Sequence, residues 1–369
     1  MFIALLGIAV SMLIIWRACD GFESATGYLG RNLSDGVRGA TFNAIGSSLP
    51  ELLATSAALL LYADKEGFAF GIGTTAGSAI FNSAVIPALV IGTVIFTGLA
   101  ATVNVSRKVI LRDGLALIAC EFLLIYLLTN DQLEWFHGAI LCGAYVTYVT
   151  FVLTTMTKGE LSYYDDEPEE AGSRVGSLAT LNLRHALLGE KELNTGKAWG
   201  LLLFATAFIA GACHILVESC FYLGEALEIK TYFVAVILAA AATSVPDTII
   251  SIKDAQAGEY DDAVANALGS NIFDICFCLG LPLLVFCLWT GETISVGGDT
   301  GNVAELRVLL LGMTGVVFFV MLKSALGLLS SLVLLSLYGA FITFIVVRAN
   351  GGWAEFGGQL QGVLKMIGG

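Results

Sequence analysis

The 369-residue chain predicts an all-α integral membrane protein, its ten transmembrane helices arranged as two inverted five-helix repeats. Three observations carry that expectation. The composition is 57% hydrophobic and only 13% charged. Apolar runs of roughly 18 to 25 residues, long enough to cross a bilayer, recur along nearly the whole chain. One long motif is also written twice. Its first copy runs Ala44-Ile45-Gly46-Ser47-Ser48-Leu49-Pro50-Glu51 and closes at Gly77-Ser78-Ala79-Ile80-Phe81-Asn82. Its second runs Ala240-Ala241-Ala242-Thr243-Ser244-Val245-Pro246-Asp247 and closes at Gly269-Ser270-Asn271-Ile272-Phe273-Asp274. An acid inside hydrocarbon is costly and is normally kept where it pairs, binds an ion or faces a water-filled cavity. Two such acids in matching halves point to a transporter built from internal repeats.

The first helix is expected over 1–29, long enough to tilt. A second and a third follow at 37–63 and 67–99, with Asp64-Lys65-Glu66 as the turn between them. The fourth and fifth take 108–129 and 134–157 and complete a first repeat over 1–157, with its motif region at 37–99. Residues 158–196 are the one long polar segment, a linker that opens on the acidic run Asp165-Asp166-Glu167-Pro168-Glu169-Glu170. After it, Leu178, Leu181 and Leu188 with Arg184 and Lys191 suggest a short helix on the membrane surface. The second repeat, 197–349, has helices at 197–223, 229–256, 260–289, 304–322 and 326–348, with its motif region at 229–289. In the tail, 350–369, a further surface helix would put Trp353, Phe356, Leu360 and Val363 on one side. The duplication is wider than the motif, because Ala18-Cys19 precedes Glu23-Ser24 as Ala212-Cys213 precedes Glu218-Ser219. An odd number of helices per half makes the second half enter from the opposite face.

A net charge of -13, held mostly in loops, argues against nucleic-acid binding. The eight cysteines lie almost entirely in apolar segments, and Cys276 and Cys278 do not share a helical face. They read as small buried hydrophobes. The first residues lack a basic n-region and a small-residue cleavage site, so a first spanning helix is expected and not a signal peptide. With the N-terminus outside, the inner side holds Arg31, Arg38, Arg107, Lys108, Arg112, Lys158, Arg174, Arg184, Lys191, Lys197, Lys253 and Lys323. The outer side keeps Lys65, Lys230, Arg307, Arg348 and Lys365. That bias predicts a multi-pass protein of the plasma or inner membrane, N-terminus out and linker in the cytoplasm.

Helical spacing makes a candidate site of the motifs. Ser47 and Glu51, Ser78 and Asn82, Thr243 and Asp247, and Ser270 and Asp274 are each i,i+4 neighbours. Pro50 and Pro246 lack an N–H and displace an earlier carbonyl. Backbone oxygens near Ala44 and Ala240 are therefore expected to be free as well. Carboxylate, hydroxyl, amide and carbonyl oxygens suit hard cations such as calcium and sodium. No His or Cys is placed for zinc or copper. The structural alternatives are ordinary: interhelical hydrogen bonds for the acids, packing glue for Asn82, and hydroxyls bonded back to their own helix. That Asp247 mirrors Glu51 favours the ligand reading. Glu23 and Glu218 fit either a cavity wall or solvated helix ends. His214 reads as a structural histidine and Glu121 as an interhelical hydrogen-bond partner, while Arg17 has no account.

Gly46-Ser47-Ser48-Leu49-Pro50-Glu51 with Gly77-Ser78-Ala79-Ile80-Phe81-Asn82 resembles the first α-repeat of the calcium/cation antiporter superfamily. Thr243-Ser244-Val245-Pro246-Asp247 with Gly269-Ser270-Asn271-Ile272-Phe273-Asp274 resembles its second. Within the superfamily the likeness is to sodium/calcium exchangers, and Asp247 and Asp274 look most like the potassium-dependent branch. The resemblance implies antiport of calcium against sodium by alternating access, with potassium as a further ion and no cofactor. It implies a functional monomer whose partners are the ions and lipid. It also implies that the first and sixth helices slide against the rest. The ligand set it implies is Ser47, Ser48, Glu51, Ser78, Asn82, Thr243, Ser244, Asp247, Ser270 and Asp274. Ala242 departs from the glycine usual before Thr-Ser, and the linker is too short for calcium-sensing domains. A proton/calcium exchanger is the alternative within transport, although that branch carries Asn-x-x-Glu where this chain has Ser48-Leu49-Pro50-Glu51. An intramembrane aspartyl protease fits less well, since Tyr164-Asp165 lies in the linker and Gly298-Asp299 in an outer turn. No enzymatic activity is expected, and a channel is the remaining class.

Overall fold

The computed structural model describes residues 1–31, 37–61, 65–130, 132–155, 176–177, 180–189, 191–295, 300–323 and 325–368. Long helices occupy every stretch where one was expected. In the first half these are α1 (Phe2–Gly30), α2 (37–61), α3 (Lys65–Phe96), α4 (Arg107–Leu127) and α5 (Trp135–Thr155). In the second they are α6 (Thr195–Leu227), α7 (Thr231–Gln256), α8 (Tyr260–Thr290), α9 (Thr300–Met321) and α10 (Leu328–Ala349). Among the described residues, eight are long and apolar enough to cross a membrane, all except α2 and α4. α4 carries Arg107, Lys108, Arg112, Asp113 and Glu121 in its 21 residues. α2 is interrupted, and its second part, Leu49–Leu60, is short.

Contacts between the halves obey a two-fold exchange. α1 packs along α6; α3 packs on α9 and α10 as α8 packs on α4 and α5. Gln132–Leu133, between α4 and α5, pairs antiparallel with Ile294–Ser295, between α8 and α9. Val103, between α3 and α4, bridges to Leu326, between α9 and α10. α4 joins these two contacts, so they lie at opposite ends of the bundle. The halves are therefore inverted. Two hydrophobic cores result. One is built by α1 and α6 with Ala54, Ala58, Phe70, Val234 and Ala239, and the larger one by the remaining helices.

Several expectations are corrected in detail. Arg38, Arg112 and Arg307 are not loop charges. Arg38 is 2% exposed and ion-paired to Asp262 and Glu259, and the Arg112 side chain is 7% exposed beside Asp113. Arg307 is buried in α9 against the carbonyls of Val303 and Ile125. Each is held by acids or carbonyls, which lets a buried cation be tolerated within a helix. The helix expected after the acidic run of the linker spans Leu183–Leu188 and buries Leu183 and Leu188 against α1 and α6, so it packs on the bundle. Arg17 reaches it, donating to the Thr180 carbonyl at 3.0 Å. The tail forms Ala354–Gly368 and docks on α9, with Gln361 and Arg348 both bonded to Glu305. All eight cysteines are free, and all but Cys142 are buried. Asp64, the Asp165–Glu170 run, Leu178, Tyr164 and Gly298-Asp299 lie outside the described residues.

Candidate ion-binding site

Both long motifs fold by one backbone device. A π-helical turn, Gly39–Asn43 or Ala235–Ala239, leads into a single α turn, Ala44–Ser47 or Ala240–Thr243. The chain then leaves helical geometry at Ser48 (φ −89°, ψ 9°) or Ser244 (φ −80°, ψ 2°) and restarts as Leu49–Leu61 or Val245–Gln256. The sequence predicted continuous helices here. Proline is the reason for the difference: restarting places Pro50 and Pro246 in a first turn, where no N–H is needed. It also places Glu51 and Asp247 in that first turn, where the helix dipole favours a negative charge.

The break changes what the i,i+4 pairs do. Ser47 lies on the opposite side of the interruption from Glu51; it donates back to the Asn43 carbonyl at 2.7 Å and faces the other repeat, 3.4 Å from Ser270 Oγ and 3.3 Å from Asn266 Oδ1. Thr243 bonds back to the Ala239 and Ala240 carbonyls at 3.0 and 3.2 Å, the ordinary fate of a helical hydroxyl. The Ala44 and Ala240 carbonyls accept from Ser48 N and Ser244 N at 3.1 and 3.0 Å. They are not free of partners, though each keeps a second lone pair. By the geometry of proline, the carbonyls that lose an i+4 donor are those of Gly46 and Ala242.

At the centre, the two broken stretches of α2 and α7 meet α3 and α8. Ser47, Ser48, Glu51, Ser78, Asn82, Thr243, Ser244, Asp247, Ser270 and Asp274 are all buried, 1% exposed or less. Ser78 Oγ lies 3.1 Å from Glu51 Oε1, 2.9 Å from Asp274 Oδ2 and 2.8 Å from Ser244 Oγ. Asn82 Nδ2 donates to Asp247 Oδ2 at 3.0 Å, and Ser270 Oγ to Asp247 Oδ1 at 2.5 Å. One hydroxyl proton serves one acceptor at a time, so Ser78 leaves at least one neighbouring carboxylate oxygen without a donor. Glu51 Oε2, Asn82 Oδ1 and the Ser48 hydroxyl have no hydrogen-bonding partner among the described residues. No Lys, Arg or His there is paired with Glu51, Asp247 or Asp274. The pocket is rich in oxygen acceptors, and its donors are hydroxyls and one amide. Among the described residues no three acidic, His or Cys side chains converge into a ready-made metal cage. Hydroxyls and an amide stand between the acids instead.

Sequence reasoning missed part of this arrangement. Asn266 donates to the Asp247 carbonyl at 3.3 Å and to Ser251 Oγ at 3.0 Å, tying α8 to both sides of the motif. It lies four residues before Ser270, and extending the i,i+4 series one step back would have found it. Asn271 bonds Ser83 Oγ at 2.7 Å and the Ala79 carbonyl at 3.0 Å, clamping α8 on α3. Cys278 contacts Asp274 Oδ1 at 3.7 Å. Of the residues left open, Glu23 is paired with Lys253 at 2.7 Å, and Glu218 is half-exposed near His214. Glu121 accepts from Thr314 at 2.6 Å, the interhelical bond expected of it.

A duplicated, inverted helical bundle around a buried acceptor-rich pocket defines a multi-pass membrane protein of the ion-transporter type. The family model described as sodium/calcium exchanger protein matches residues 3–154 and 197–347, and the chain belongs to that family. It is 26% identical over 343 residues to sodium/potassium/calcium exchanger 5 of Homo sapiens, covering 72% of this chain and 65% of that protein. Its fold is similar to that of an H+/Ca2+ exchanger, CAX, with TM-score 0.67, 14% identity and coverage of 99% of this chain and 84% of that one. It is also similar to the sodium-calcium exchanger NCX_Mj, with TM-score 0.60, 18% identity and coverage of 93% and 98%.

Proposed function

We propose that this chain is a secondary active antiporter exchanging calcium for sodium by alternating access. The observation that carries this reading is the pocket of Glu51, Asp247 and Asp274, three acids fully buried and without a basic partner among the described residues. Buried carboxylates in that state need cations or protons. Calcium takes about six to eight oxygens, which the acids, Ser47, Ser48, Ser78, Asn82, Thr243, Ser244 and Ser270 supply, with the second lone pairs of the Ala44 and Ala240 carbonyls. Sodium uses the same oxygens on the return stroke. α1 and α6, which share a core distinct from the main one, are the elements that slide. α2 and α4 complete ten spans, the protein works as a monomer in the cell membrane, and no cofactor or chemical step is required.

Potassium is proposed as a companion ion. Three ionised acids outweigh calcium by one charge, and an uncompensated buried charge is strongly unfavourable. The name of the human relative, a sodium/potassium/calcium exchanger, agrees with potassium as a transported ion. Calcium uptake into proteoliposomes with opposing sodium, potassium and proton gradients tests the reading. Uptake should follow the sodium gradient and rise with potassium on the calcium side. Uptake driven by a pH gradient alone would make the protein a proton/calcium exchanger, and flux coupled to no gradient would make it a channel. For orientation, a cysteine placed in 158–196 should resist impermeant thiol reagents outside intact cells. Labelling there as strong as at the C-terminal tail would reverse the topology.

A further inference from the structure

When Glu51 is matched with Asp247, and Ser78 with Ser270, each position around one end of the pocket gains a counterpart around the other. The two ends differ. Towards the face where α7 meets α8, the polar surface does not stop at the site. On α8 the face bearing Asp274 and Ser270 continues through Asn266 to Asp262, one helical turn at a time, and all four are fully buried. On α7, Asp247 is followed on the same face by Ser251 and Asp254, 0% and 5% exposed. On α2, Ser47 is preceded by Asn43 and Arg38. Hydrogen bonds join these residues in neighbouring groups. Ser47 reaches Asn266 at 3.3 Å, Asn266 reaches Ser251 at 3.0 Å, and Asn43 Nδ2 donates to Asp254 Oδ2 at 3.2 Å. At the outer end Arg38 bonds Asp262 at 2.8 Å and also pairs with Glu259.

The matching positions at the other end are mostly hydrocarbon. Phe70 stands for Asp262, Ala58 for Asp254, Ala239 for Asn43 and Val234 for Arg38, all buried. Thr74 and Thr55 replace Asn266 and Ser251. The same backbone device is thus held together on one side mainly by apolar packing, with no charged residue at these positions. Buried polar groups are expensive, and packing does not require them here.

We propose that this polar column is the route by which the ion moves between the site and the α7–α8 face, with Asn266 and Asp254 as its positioning residues. The proposal rests on the exchange reading above. A cation leaving the Asp247 oxygens meets Asn266 Oδ1, then Ser251 Oγ, then the Asp254 carboxylate. Arg38 keeps Asp262 and Glu259 occupied, so Asp254, whose hydrogen-bonding partner is a neutral amide, is the acid left to receive the ion. One carboxylate of this kind concentrates a cation at the mouth without trapping it.

The test exchanges each residue for the one already used in the other repeat, Asp254→Ala and Asn266→Thr. Half-saturating calcium is measured at each face separately, in right-side-out and inside-out vesicles. For Asp254→Ala it should rise about tenfold at the α7–α8 face, because the local cation concentration falls with the charge. For Asn266→Thr, which keeps the charge and loses only an oxygen on the route, it should rise by less. Both should stay unchanged at the opposite face. Equal shifts at both faces, or none at either, would overturn the route. Asp254→Asn, which keeps an acceptor for Asn43 and drops the charge, carries the test if Asp254→Ala fails to fold. Calorimetric titration of the detergent-solubilised variants with calcium chloride separates the two readings. The Asp254 variants should bind calcium as the wild type does. If the wild type neither binds calcium nor moves it, the exchange reading falls and the route falls with it.

Discussion

The two repeats share a backbone and differ in chemistry. Both place a π turn, a single α turn, a break at Ser48 or Ser244 and a first-turn proline and acid in the same order. Even the close approaches match. Gly77 of α3 faces Val236 and Ala240, while Gly269 of α8 faces Ala40 and Ala44, the corresponding residues of the other repeat. The pocket, however, takes an amide from the first repeat (Asn82) and a carboxylate from the second (Asp274). Asn82 lies in regular helix, whereas Asp274 opens a π turn, Asp274–Cys278. The backbone of such a site is therefore fixed by small residues and prolines, while its charge is left free to vary between halves.

Neutralising the acids is the most severe way to test whether the halves act as equals. Glu51→Gln and Asp247→Asn should each cut calcium exchange at least about a hundredfold, because a buried charged partner is worth several kcal/mol. Both variants should remain folded and extractable. Near-wild-type exchange in one would show that only the other repeat holds the ion.

The matching glycines test the packing. A Cβ at Gly77 would lie 2.8 Å from Ala240 Cβ and closer still to the Val236 carbonyl oxygen. At Gly269 the tightest contacts are 2.9 Å, to Ala40 Cα and O. Gly77→Ala should therefore lower stability by about 2 to 3 kcal/mol and Gly269→Ala by about 1 kcal/mol, measured by thermal unfolding in detergent. A reversed order would mean that the second crossing is the more rigid.

The mildest change makes the repeats alike at the pocket. Asp274→Asn should leave part of the sodium-driven calcium flux and remove its rise with potassium, a loss of about tenfold in potassium sensitivity if one buried charge held the ion. Potassium dependence that survives would place the companion ion elsewhere and leave Asp274 protonated.

Much of the molecule was legible in one dimension. Apolar runs marked the helices because a bilayer requires every backbone group to be satisfied within its own segment. Glu51, Asp247 and Asp274 were legible because acids are rare in hydrocarbon. The duplication was legible because a repeated pair of motifs is a pattern along the chain. What the sequence left open depends on partners far apart. Arg38 was counted as a loop cation, yet Asp262, 224 residues away, draws it into the bundle. Ser47 was assigned to Glu51, and only packing shows that it faces Asn266 and Ser270 in the opposite half. The Ser48 break and the neighbouring π turns were hidden because proline predicts a lost hydrogen bond but not where the helix restarts. By itself the sequence determined the membrane class, the duplication and the acids. The tertiary structure decided which hydroxyl meets which carboxylate and which end of the pocket stays polar, because hydrogen bonds are directional and across the bundle their directions are set by how the helices cross.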